Sequence, residues 1–346
     1  MYIKFKKQIM KSTTLFRPAL MLIFSFFLQD KGFAQKTVAS DILDANATVK
    51  QLFEGEDILE GPTMSPDGIL YFSDFPWSKG KPGKAGMIWS LNPVTGESKV
   101  FRSPSGMANG MMFDVNGDLI VCEGADFGGR RVTKTDMKTG KSVIIAGLYQ
   151  GRPFNSPNDL AIDEQGRIYF TDPRYLGKEP MEQNQMGVYR IDNDGSIHLV
   201  AANVTKPNGI IISPDQKNLY VANADWPGNG NFWVLPDEQS AVRPTPEGAL
   251  IAFDLMPDGS LKFKSKLIDR RADGMAIDVD GNLYLSMGDK VEVFSPKGEK
   301  ITEIKTPARN VCFGRGKYSK TLFIAGGTGV YMIETKKEGY NIPLNK

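Results

Sequence analysis

The sequence predicts an all-β protein, a six-bladed β-propeller with a metal site on its axis. Three observations predict it. Six segments of one grammar recur along the chain, each holds a hairpin turn between two short apolar runs, and each opens on a residue with a side-chain oxygen. Short strands at regular spacing, with no helical periodicity between them, build blades around an axis.

The repeats are Glu60–Asp74, Asn109–Glu123, Asn158–Asp172, Asn208–Asn223, Asp273–Met287 and Asn310–Gly326, with starts separated by 49, 49, 50, 65 and 37 residues. A turn pair sits near the middle of four of them: Asp67-Gly68, Asn116-Gly117, Gln165-Gly166 and Asp280-Gly281. Asx-Gly pairs between apolar runs are a strong hairpin signal and predict type I′ turns. The second strand of each unit runs through residues such as Tyr71-Phe72, Tyr169-Phe170 and Tyr284-Leu285. A further strand at Ala47–Phe53 precedes the first unit, and Gly329–Ile333 ends the last. These two are expected to meet in one blade, which closes the ring and removes a sheet edge.

The chain before the repeats reads differently. Lys4, Lys6, Lys7, Lys11 and Arg17 precede the apolar run Ala19–Leu28, and Gly32-Phe33-Ala34 follows. That layout is a secretory signal peptide over residues 1–34, leaving 35–346 as a single propeller domain. The run is too short for a stable membrane anchor. A secreted or periplasmic protein is therefore expected. Taking the six Lys/Arg and one Asp of residues 1–34 from the 42 basic and 40 acidic residues of the chain leaves a net charge of −3, so no nucleic-acid surface is indicated. Two cysteines, Cys122 and Cys312, do not make a disulfide framework. A monomer is expected.

In a propeller, equivalent positions of all blades lie at one height around the axis. The six openers Glu60, Asn109, Asn158, Asn208, Asp273 and Asn310 therefore face a common volume. Six oxygen-bearing groups are costly to bury unpaired, whereas Ca²⁺ accepts six to eight carboxylate and amide oxygens. No His or Cys opens a unit, which argues against zinc or copper as the preferred metal. Another divalent cation such as Zn²⁺, Mg²⁺ or Mn²⁺ is the alternative. The other reading of each single Asn or Asp is a strand cap or an Asx turn.

Fourteen positions after the opener stand Asp74, Glu123 and Asp172, with Asn223 as the equivalent in the fourth unit. The hairpin brings these back beside the openers, as a supporting layer or a substrate rim. One position earlier come Ser73, Cys122, Thr171, Ala222 and Ser286, all small, so Cys122 reads as packing. The loops that follow carry Trp77, Phe127, Arg174, Tyr175, Trp226, Phe232 and Trp233 on the same face.

The unit openings Leu59-Glu60-Gly61-Pro62, Ser156-Pro157-Asn158-Asp159, Lys206-Pro207-Asn208-Gly209 and Ala272-Asp273-Gly274-Met275 resemble those of the senescence marker protein, gluconolactonase and luciferin-regenerating enzyme family. Val121-Cys122-Glu123 with Arg130-Arg131-Val132, and Tyr169–Pro173, resemble its bacterial gluconolactonase branch. The resemblance covers about residues 47–335. It implies a propeller with one catalytic divalent metal, usually Ca²⁺, held by Glu60, Asn158, Asn208 and Asp273. It also implies that Asn109 lies near a sugar-lactone substrate. Some mammalian members carry a substrate-contacting Arg where this chain has Ser156, which leaves gluconolactone itself in question. Related paraoxonases use a catalytic His; the single histidine here, His198, sits in a polar outer-strand context.

The expected activity is Ca²⁺-dependent hydrolysis of sugar lactones. The metal polarises the ring carbonyl, and Asp273 activates a water as general base or attacks directly. The expected substrate-binding set is Asn109, Asn158, Glu123, Asp172, Arg174 and Tyr175, with a small molecule as the partner. Two alternatives stand beside this reading: a non-catalytic exported carbohydrate- or partner-binding propeller, and a phosphotriesterase-like hydrolase on the same metal site.

Overall fold

The computed structural model describes residues 40–76, 85–124, 126–175, 177–224 and 248–345. The expected signal peptide and the loop aromatics Trp77, Trp226, Phe232 and Trp233 lie outside the described residues.

The apolar runs of the repeat become the inner strands of six four-stranded antiparallel sheets. Blade I comprises Ile58–Met64, Leu70–Phe75, Met87–Leu91 and Ser98–Arg102. Blade II comprises Ala108–Phe113, Leu119–Glu123, Arg131–Thr135 and Ser142–Ala146. Blade III is Leu160–Ile162, Ile168–Asp172, Gly187–Ile191 and Ile197–Ala201. Blade IV is Pro207–Ile212, Asn218–Asn223, Ala249–Leu255 and Leu261–Ile268. Blade V is Met275–Ile277, Leu283–Ser286, Gly288–Phe294 and Lys300–Ala308. Blade VI takes Asn310–Phe313, Thr321–Gly326 and Gly329–Glu334 from the end of the chain and Lys50–Glu54 from its start.

Each innermost strand touches that of the next blade, from blade I round to blade VI and back to blade I. This is the six-bladed propeller that the repeat predicts. The pairing of Lys50 with Met332 and of Gln51 with Tyr331 closes it, as expected. The core lies between the blades. Tyr71, Ile88, Ala108 and Phe113 join blades I and II, and Tyr284 meets Phe313 edge-on at 4.9 Å between blades V and VI. Second strands such as Leu70–Phe75 are buried at every position, because a blade covers each face.

The turns differ from the type I′ expectation. Gly68, Gly117, Gly166 and Gly281 have φ of 85°, 79°, 86° and 83°, but the residue before each is not left-handed. In the first, the Gly68 amide donates to the Ser65 carbonyl and the Ser65 amide to that of Ile69. That is a type I turn followed by a left-handed glycine bulge, which needs one positive φ rather than two. A side chain at the turn's first position selects it. Asp114 Oδ1 accepts the amides of Asn116 and Asp118 at 2.9 Å each, and Asp163 and Asp278 repeat the pattern.

After Glu334 the chain crosses the turn side of the ring. The Tyr340 amide donates to Ile277 O at 2.9 Å in blade V. Its hydroxyl meets Gln216 Nε2 at 2.9 Å and Glu164 Oε1 at 2.8 Å, in the turns of blades IV and III. Ile342, 1% exposed, packs into the cluster between blades II and III. The tail thus ties together blades that are distant in sequence. Ile342→Ala is expected to cost about 2–4 kcal/mol of stability through the cavity it leaves. Leu344→Ala, at a side chain that is 36% exposed, should cost less than about 0.5 kcal/mol. Denaturant melts of the two variants check the contrast.

Candidate metal and active site

The opener is aimed by an irregularity in its strand. Register slips between Glu60 and Thr63, Ala108 and Met111, and Pro207 and Ile210, so blades I, II and IV each carry a bulge at the opener. A bulge re-aims a side chain that the pleat would send elsewhere. In blades III and V the opener lies just before the strand. There the Asn158 amide donates to Thr171 O and the Asp273 amide to Ser286 O, both at 2.9 Å.

The residue after the opener is glycine in four blades, and the crowded axis demands it. A Cβ on Gly110 would collide with Asp159 Oδ1, and one on Gly274 with the Asn310 amide. The blades also bond to one another here: the Gly110 amide to Asn158 O at 2.7 Å and the Gly209 amide to Asp273 O at 3.0 Å.

The side chains converge in three groups. Glu60, Asn208 and Asp273 form the first. Glu60 is 5% exposed, and burial raises its carboxyl well above the usual range; Asp273 and Asp159 raise it further and Arg309 opposes them. Burial likewise raises Asp273, against Arg309, Arg271 and a hydrogen bond from Asn208. Two carboxylates sharing one buried volume repel unless a cation joins them. Asn109 and Asn158 form the second group, lining a small cleft with Phe75, Met107, Ser156 and Tyr175. The third is Asn310 with Asp159, joined by an Nδ2–Oδ2 hydrogen bond of 3.2 Å. Asp159 was missed in the sequence. Burial pushes its carboxyl up to about 7, against hydrogen bonds from Leu160 and Asn310. Its signal was available: the position after the opener is glycine in units one, two, four and five, and aspartate in the third.

Among the described residues no three His, Cys, Asp or Glu side chains cluster as a metal centre. The donor set is instead two carboxylates completed by amides, which fits a hard oxygen-seeking cation.

Two residues of the layer fourteen positions on, Asp172 and Asn223, pin the loop that leads to their own opener. Asp172, fully buried, accepts the amides of Asn155 and Ser156 at 2.8 and 2.7 Å, just before Asn158. Asn223 Oδ1 accepts Lys206 N at 3.0 Å and the Thr205 hydroxyl at 3.1 Å, just before Asn208. Glu123 pairs with Arg131 at 2.7 Å and Arg102 at 3.2 Å and accepts from Thr133, beside the loop before Asn109. Asp74 accepts from Trp89 Nε1 at 3.0 Å. Arg174, 1% exposed, gives its guanidinium to Glu179 O at 2.8 Å and Asn155 O at 2.9 Å. Of the expected substrate-binding set, Asn109, Asn158 and Tyr175 therefore line the mouth, while Glu123 is committed to side chains of neighbouring strands and Asp172 and Arg174 to loops.

Cys122 and Cys312 are free, and burial raises both thiols. His198 lies on the outer strand of blade III beside Asp192 at 3.2 Å and Ser196.

Fold and site together define a six-bladed propeller with an oxygen-lined mouth on its axis. A family model described as SMP-30/Gluconolactonase/LRE-like region matches residues 58–328, and the chain belongs to that family. It is 32% identical to a gluconolactonase of Zymomonas mobilis over 325 residues, covering 86% of this chain and 84% of that protein. It is 26% identical to the lactonase drp35 of Staphylococcus epidermidis, covering 73% and 70% of the two chains. The structure of a gluconolactonase from Xanthomonas campestris superposes with a TM-score of 0.69 at 26% identity, covering 87% of this chain and 98% of that one.

Asp172→Asn replaces one of two acceptors with a donor facing an amide N–H, which should shift the 155–157 loop. Metal affinity or activity is expected to fall about 10–100-fold, as for other groups that hold ligands from behind. The same variant has a pH signature. Burial raises Asp172 from 3.8 to about 7, so between those values the folded chain binds more protons there than the unfolded chain. That contribution to stability is full at low pH and is lost as pH rises through about 7. Thermal melts at pH 5 and pH 8 should show the wild type losing ground relative to Asp172→Asn.

Proposed function

We propose that this protein hydrolyses sugar lactones with a divalent cation, Ca²⁺ first, held at the axial mouth by Glu60, Asn158, Asn208 and Asp273. The observation that carries this reading is the shared burial of Glu60 and Asp273 beside the Asn208 amide, with carboxyl groups raised by that burial. The lactonases among its relatives support the substrate class.

A bound divalent cation supplies Lewis-acid polarisation of the lactone carbonyl. The chain supplies the rest. Asn109 and Asn158 present amides to the ring oxygens from the cleft wall, and Tyr175 shapes that wall, its hydroxyl fixed by Lys206 O at 3.1 Å. Asp273 keeps one-fifth of its side chain open to the mouth and takes the proton of the attacking water. Phe75 and Met107 narrow the cleft and limit bulk water around the ring. The cationic start and apolar run of residues 1–34 support export to the periplasm or beyond. A mature N-terminus still at Met1 or Met10 in secreted material, read by N-terminal sequencing, would overturn that placement.

Turnover of δ-gluconolactone, followed by acid release, is expected to vanish with chelator and return with Ca²⁺. Glu60→Gln is expected to weaken metal binding at least tenfold. Asp273→Asn, assayed with metal bound, is expected to lose about 10²–10⁴-fold in kcat, the usual range for a positioned proton acceptor. Activity near wild type in that variant removes Asp273 from the proton step. A protein that turns over no lactone but binds glycans tightly is a binding module instead.

A further inference from the structure

One aromatic side chain on the face of the openers is held open to water by a built support. Phe127 is 54% exposed and meets no other aromatic ring among the described residues. It lies in the segment 126–130, between the second and third strands of blade II. Asp126 and Phe127 both have φ of 67°, and Arg130 has φ of 49°. Residues with a Cβ rarely adopt these values, which persist only where the surroundings over-determine them.

The surroundings come from blade III. The Glu179 carboxylate accepts the Phe127 amide at 2.6 Å and the Asp126 amide at 3.3 Å. Arg174, almost wholly buried, holds Glu179 in turn, with Nη1 at 2.8 Å from its carbonyl and 3.4 Å from its carboxylate. Arg130 adds a second tie, donating to Phe154 O at 2.8 Å and Pro180 O at 3.1 Å. The segment therefore bridges blades II and III.

The same two blades supply most of the small cleft that holds Asn109 and Asn158. The bridge touches the wall of that cleft. A Cβ on Gly128 would collide with Gly124 O and Met107 Cβ, and both Gly124 and Met107 line the cleft. Phe127 is thus one residue out from the wall. Its immediate neighbours are Gly128, Gly129 and the Glu179 carboxylate, unlike the apolar trough that an alkyl chain needs. An open aromatic face suits a sugar ring, which lays its C–H face on the aromatic and leaves its hydroxyls in water.

We propose that Phe127 is a stacking platform for a second sugar ring, so that the mouth selects lactones of disaccharide acids. The inference rests on the lactonase reading, which puts the lactone ring in the cleft beside Asn109 and Asn158 and its glycosyl substituent at the rim. The reaction is the same as for one ring: water adds to the carbonyl, the acyl–oxygen bond breaks, and a carboxylic acid and a hydroxyl form.

The test uses the calcium-loaded mature protein with Phe127→Ala and Phe127→Trp. The first measurement is the ratio of kcat/KM for cellobionolactone to that for gluconolactone. The wild-type ratio should exceed one. Phe127→Ala should lower it about tenfold, chiefly through KM, as loss of an aromatic contact does. Phe127→Trp should retain it. A wild-type ratio at or below one, a Trp variant that fails as the Ala variant does, or equal losses on both substrates overturns the platform and leaves the lactonase reading standing. A loss confined to an alkyl-substituted lactone such as δ-decalactone overturns the second-ring assignment.

The second measurement needs no turnover. Calorimetric titration with cellobionate and gluconate should show cellobionate bound more tightly, with the preference lost in Phe127→Ala and kept in Phe127→Trp. Equal affinities in the wild type overturn the inference. If no lactone is turned over while the cellobionate preference still depends on Phe127, the lactonase reading is refuted and the sugar platform stands.

Discussion

The pairing of Lys50–Glu54 with Gly329–Glu334 is the joint on which the molecule depends. A propeller puts equivalent residues at one height only if the ring is shut. Until the first strand enters the last blade, blade VI has an unpaired edge and the six inner strands have no common axis. The tail after Glu334 reinforces that closure from the turn side by bonding to blades V, IV and III and by burying Ile342 between blades II and III. Long-range contacts of this sort carry a loop-closure cost, which the apolar layers between blades must exceed.

Closure creates the electrostatic problem that the site exploits. It drives Glu60 and Asp273 into one volume with little water, where burial raises both carboxyls and Asp273 raises Glu60 further. Glycine after the opener lets the backbones approach closely enough for this to happen. The residues fourteen positions on keep the approach loops in place, Asp172 and Asn223 with direct hydrogen bonds to backbone amides. The loops that lead to the openers are therefore held from behind by the same repeat that presents them.

The mouth is asymmetric although the ring is a repeat. Blades II and III contribute amides and small or apolar neighbours, and blades V and VI contribute two arginines. The asymmetry arises one and two places before the openers, at Arg309 and Arg271.

Much of this was legible along the chain. The repeat, the six openers and the meeting of the two ends follow from period and residue type, because every blade solves the same packing problem and leaves the same trace. The turn type was misread: Asx-Gly signals a hairpin, but the side chain at the turn's first position, Asp114 or Asp163, chooses the bulged form. Asp159, Arg271 and Arg309 stood beside the openers in sequence, yet a repeat-based reading favours what recurs and passes over what occurs once. Glu123, Asp172 and Arg174 fell on the correct face. Their direction was fixed by loop amides, carbonyls and counter-charges that only tertiary packing supplies. Local pattern determines which residues reach the axis; the direction and charge state of each side chain depend on neighbours far along the chain, as the bond between Asp159 and Asn310, 151 residues apart, shows.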